Sequence, residues 1–133
     1  MTHDFSDIRR AAEERFGAAC VPRGGEAFSL VLPDMTASFA PIPGAPALVL
    51  VRTRVLDTNG LSRKGGLALA ALEGNFFWSG TNGATLSLGE DGALWLTERR
   101  PVEELSAPGG LGACLDELAG TAAAWRERGS LHE

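Results

Sequence analysis

The chain has 133 residues, 44% of them hydrophobic, and a formal net charge of −5 from 12 basic and 17 acidic side chains. A single domain of this length buries an ordinary core without metal or disulfides, and the apolar content excludes a disordered chain. The acidic balance argues against nucleic acid and anionic membrane surfaces, both of which need concentrated Lys and Arg.

The N-terminal MTHDFSDIRR puts charges where a signal peptide would be apolar, and no run approaches the roughly 20 apolar residues of a membrane span. The expectation is a cytoplasmic protein without membrane insertion. Cys20 and Cys114 lack ligand spacing and read as thiols in a reducing compartment rather than as a disulfide.

Residues 4–17 predict a helix, with Phe5, Ile8, Ala12 and Phe16 on one face, Asp4 as N-cap and Gly17 as terminator. Residues 18–25 read as a link. Alternation in AFSLVLP then predicts a strand, with Phe28, Leu30 and Leu32 on one side and Ser29 and Val31 on the other. A shorter strand follows over 36–40. PIPGAP at 41–46 reads as a stiff connecting loop, because proline removes ladder donors. Ala47 to Leu56 is the strongest strand, apolar on both faces at first, with Arg52 and Arg54 sharing one face later. Asp57 to Gly60 is a turn.

A second helix is expected over 62–77 from a Ser62 N-cap, with Leu69, Leu72 and Phe76 on one face and glycines weakening it. SGTNG at 79–83 is a turn, Ala84 to Leu88 a strand, and Gly89 to Gly92 a hairpin turn. The last strand begins at Ala93 and stops where charges take over at Glu98. After a linker, residues 111–128 carry Leu111, Leu115, Leu118, Ala122 and Trp125 at helical spacing, and a frayed tail ends the chain. Runs of strands broken by helices predict an α+β fold, a mostly antiparallel sheet with helices packed on it.

The residues hold little chemistry. His3 and His132 lie at the termini, which removes ordinary Ser-His-Asp, Cys-His and Cys/His metal arrangements. No glycine-rich phosphate loop opens a helix, and the acidic pairs read as solvated surface. No cofactor and no catalytic or metal site is expected. The apolar surfaces say more: Phe76, Phe77 and Trp78 cannot all face inward from one helix end, and Trp95 points away from Leu94 and Leu96. Surplus apolar surface marks a protein interface, and a homodimer is the economical partner.

Residues 69–101 carry a resemblance. Leu69 and Leu72 lead to Asn75, a glycine-containing loop and the strand ATLSL follow, then the GEDG turn and a strand ending ALWLTERRP. With the amphipathic last helix ending AAWRER, the chain resembles a class I type III secretion chaperone of the Tir-chaperone (CesT-like) family. The resemblance spans nearly the whole chain in layout and about its second half in residue pattern. The glycine-rich second helix and PIPGAP depart from it. It implies the order α-β-β-β-α-β-β-α in a single domain over residues 1–133, and a bacterial cytoplasmic homodimer rather than an enzyme. It also implies binding of the N-terminal segment of a secreted effector, which is kept unfolded and delivered to the secretion apparatus and its ATPase without ATP use by the chaperone.

By analogy the dimer contact falls on Leu72, Phe76, Phe77, Trp78 and Trp95, and the effector-binding groove on Phe28, Val31, Phe39, Val49 and Val51. Two alternatives stay open. One is a protein-binding or regulatory module of the same layout that carries no effector. The other is an enzyme or small-molecule binder built on Arg52, Arg54 and the 79–83 loop, which would need a pocket joining them.

Overall fold

A capping box sets the first helix. The Asp4 carboxylate accepts from the Asp7 amide at 3.2 Å, and the Asp7 carboxylate accepts from the Asp4 amide at 2.9 Å. Two amides that a helix start leaves without partners are thereby satisfied. Helix α1 runs Phe5–Phe16 and ends at Gly17 with φ 54°, a backbone conformation that side chains disfavour. This computed structural model describes residues 3–78 and 80–133, and of Phe77 the backbone alone.

A 3-10 turn at Gly17–Ala19 leads to strands β1 (Cys20–Pro22), β2 (Phe28–Val31), β3 (Thr36–Ile42) and β4 (Ala45–Asp57). Helix α2 (Lys64–Asn75) and a 3-10 turn (Phe76–Trp78) precede strands β5 (Thr85–Leu88) and β6 (Ala93–Pro101), then helices α3 (Val102–Ser106) and α4 (Gly110–Ser130). The six strands form one sheet in the order β1-β2-β3-β4-β6-β5, and each neighbouring pair is antiparallel. The architecture is α+β, as the sequence predicts.

The core lies between one face of the sheet and the helices. Phe5, Ile8 and Ala12 of α1 meet Phe28, Leu30 and Phe39 of the sheet, all buried. The Phe28 and Phe39 rings stack at 5.0 Å, with Phe5 at 5.7 Å from Phe28. Val49, Val51 and Leu96 continue the layer under α4, whose Leu111, Leu115, Leu118, Ala122 and Trp125 are buried on the predicted stripe. Each of these valines and leucines contributes roughly 1.5–3 kcal/mol by leaving water. Trp125 also donates its indole N–H to the Gly80 carbonyl at 2.9 Å.

Several boundaries differ from expectation. Residues 20–22, read as part of a link, form β1. PIPGAP is not a free loop: Pro41 and Ile42 finish β3, and Ala45 and Pro46 begin β4. The prolines fit because β2 reaches only to the Phe28–Phe39 pair, so β3 is locally an edge at Pro41, and its ladder with β4 shifts register there. β6 continues past Thr97 to Pro101, and the linker after it holds α3. Its charges are tolerated on the helix side because they pair: Arg100 donates to Glu98 at 2.9 Å, Glu104 at 2.6 Å and Glu117 at 2.7 Å. That cluster ties β6 to α3 and α4. Helix α2 starts at Lys64 after Arg63, which makes no side-chain cap, so Ser62 is not the N-cap. The C-terminal tail is held rather than frayed, with the Arg63 amide donating to the His132 carbonyl at 3.0 Å.

Candidate functional site

Helix α2 is apolar on two faces. Leu67, Ala71 and Gly74 are its buried positions. Leu69, Leu72 and Phe76, the stripe that periodicity singles out, point to solvent with 60, 69 and 69% of their surface exposed. A groove of about 620 Å³ runs between α2 and the β5–β6 hairpin, walled by Leu67, Ala71, Leu72, Leu86, Leu88 and Leu94. Leu72 belongs to both ridge and groove, and Leu88 across from it is 59% exposed. Contiguous apolar surface of this kind marks an interaction site.

Asn75 ends α2 against the outer edge of β5. Its side-chain amide donates to the Leu86 carbonyl at 2.9 Å, and its carbonyl accepts from the Leu86 amide at 2.8 Å. The side chain thus stands where an added strand would pair. At the opposite edge of the sheet, the three residues of β1 pair with β2 alone among the described residues.

The expected dimer residues separate into groups. Leu72 and Phe76 share the α2 ridge, and Trp78 lies just past it, 54% exposed, in a left-handed conformation with φ 57°. The side chain of Phe77 lies outside the described residues. Trp95 sits on the opposite face of the sheet, partly buried, with the Arg52 guanidinium 5.6 Å above its ring. Of the expected groove residues, Phe28, Phe39, Val49 and Val51 are core, at most 1% exposed, and line no open surface; Val31 is 45% exposed. The reason is the alternation itself, since the positions chosen for bulk are those that the helices cover. Leu69 and Leu88 belong to the exposed patch but are not among the expected dimer residues. Leu69 is recoverable from its spacing to Leu72 and Phe76, whereas alternation puts Leu88 on the same side of β5 as the buried Leu86. Asn75 gives no periodic signal of its edge contact.

Among the described residues, Arg52 and Arg54 lie apart from positions 80–83 of the loop, and Ser79 lies outside the described residues. The arginines lie on the exposed face of β4, whereas Thr81 and Asn82 line a slit with Glu98, Arg100, Glu117 and α4 on the helix side. There burial holds the Glu98 carboxyl above its ordinary range against the opposing pull of Arg100. Burial likewise pushes the Cys114 thiol up to about 12, so it stays protonated and unreactive. Cys20 and Cys114 are both free thiols.

The profile of the Tir chaperone protein (CesT) family matches residues 46–126, which run from β4 through α2 and the hairpin into α4. The chain belongs to the Tir chaperone protein (CesT) family. No curated protein sequence matches this family member. Solved structures resemble it in fold. The crystal structure of the ExsC-ExsE complex aligns with a TM-score of 0.73 at 16% identity, over 92% of this chain and 90% of that one. The HopA1-SchA chaperone-effector complex aligns at 0.61 and 18% identity, over 95% and 99%. The Yersinia pestis type III secretion chaperone SycH, in complex with a stable fragment of YscM2, aligns at 0.66 and 14% identity, over 91% and 98%. At these identities the likeness is one of fold.

Proposed function

We propose that this family member is a cytoplasmic type III secretion chaperone. It works as a homodimer, binds an extended N-terminal segment of a secreted effector, and passes that segment to the secretion apparatus. It performs no reaction and uses no ATP. The observation that carries the reading is the exposed apolar ridge of Leu69 and Leu72 beside the groove to Leu88, in a chain of the Tir chaperone protein family. A monomer keeps little such surface in water, and a two-fold contact of ridge on groove would cover it in both copies at once.

The effector segment is read as an added strand. Asn75 occupies the β5 edge at Leu86, so strand addition is directed to the β1 edge, where Val31 offers an apolar contact nearby on β2. Main-chain hydrogen bonds make such binding tolerant of sequence, which suits a carrier of unfolded clients. The likeness in fold to the HopA1-SchA chaperone-effector complex supports the same reading. Co-expression with secreted proteins encoded nearby, followed by affinity capture, tests it. The expected outcome is capture that depends on the client's N-terminal segment and survives ATP depletion. Capture of no secreted protein would contradict it.

A further inference from the structure

The sheet has a second face that the helices leave exposed, and it is basic although the chain is acidic. Arg52 and Arg54 of β4 and Arg99 of β6 are exposed on it, with Trp95 beside them. Arg23 lies across its far side, donating to the Ser29 hydroxyl at 3.0 Å. Elsewhere Arg9, Arg10 and Arg100 are paired with carboxylates. On this face Arg54 comes only within 4.0 Å of Asp57, and Arg23, Arg52 and Arg99 form no ion pair among the described residues.

The register sets the spacing. Leu50 pairs with Arg99, Arg52 with Thr97, and Arg54 with Trp95. The three arginines therefore stand at successive levels two residues apart along β4, about 7 Å per step from the rise of a strand. An extended peptide laid along β4 and β6 presents its own side chains on one side at the same interval. Carboxylates at alternate positions would meet Arg99, Arg52 and Arg54 in turn, each through a planar guanidinium suited to two hydrogen bonds. The Trp95 ring offers an apolar floor for a side chain between them. The net charge of −5 weighs against a nucleic acid as occupant.

We propose that this exposed sheet face holds an extended acidic protein segment with carboxylates at alternate residues, at a site separate from the α2 ridge and the β1 edge. The test is fluorescence anisotropy of a labelled peptide of alternating Glu and Thr, with the Gln and Thr peptide as control. The acidic peptide should bind at low ionic strength, weaken steeply with salt, and bind roughly tenfold more weakly to the Arg52→Gln, Arg54→Gln double variant. The Arg10→Gln variant on α1 should bind as the parent does, and both variants should keep the parent's circular dichroism and thermal midpoint. Equal binding of the Gln peptide, undiminished binding to the double variant, or tighter binding of oligothymidine would overturn the proposal. If the acidic peptide fails to bind while a secreted segment is still captured, this inference falls and the chaperone reading stands. Peptide binding without capture of any secreted protein has the opposite meaning.

Discussion

The two hydrogen bonds between Asn75 and Leu86 occupy both backbone groups that β5 would offer a new strand at that position. Asn75→Leu leaves them without that partner and should cost about 1–3 kcal/mol in chemical denaturation, with faster hydrogen exchange at the Leu86 amide. Glycine is read from sequence as a weakness in α2, yet Gly74 is a packing requirement. A Cβ there would stand 2.6 Å from Cζ2 of Trp125. Gly74→Ala should therefore lower stability by about 1–3 kcal/mol in the same measurement, against the gain in helix propensity. No local pattern announces this, because the indole arrives from a distant helix. Glu98 gives a pH signature. Its carboxyl is held above its ordinary value of 4.5, chiefly by burial, so the native state binds more protons than the unfolded chain just above that value. Stability from this group is greatest at acid pH and falls as pH rises from about 4.5 through the raised value. A Glu98→Gln variant should show a flatter stability–pH curve over that window, and an unchanged slope would contradict the assignment.

At the scale of elements, legibility followed locality. Helix α1, the middle of β4 and the stripe of α4 were readable because each repeats its apolar residues against one neighbour. The continuation of β6 and the existence of α3 were not, since Glu98 and Arg100 look like a solvated strand end until Glu104 and Glu117 are brought to them. The spacing on α2 shows a stripe but not its direction, because both faces of that helix are apolar and periodicity alone does not say which is covered. The proposed subunit contact rests on the face left exposed. Leu69→Glu with Leu72→Glu should leave the fold intact, within about 0.5 kcal/mol for positions this exposed. The pair of charges should convert the proposed dimer to monomer in light scattering. An intact dimer would remove α2 from the interface.

At the scale of the molecule, the sheet, the helices on one side of it and the family were all within reach of the sequence, because layout and apolar pattern carry them. The groove assignments were not: four of the five residues chosen for a client are core, and the exposed candidates are a ridge, an edge and a basic face. Two copies joined through α2 would leave each β1 edge open, so that one client segment could reach from subunit to subunit and gain from their linkage. The most direct test is the mass of the complex formed with an effector's N-terminal segment, by light scattering during size exclusion. The proposed dimeric chaperone should give a single species of two 13.9 kDa chains and one segment, formed without nucleotide; a monomer that elutes apart from the segment would contradict it.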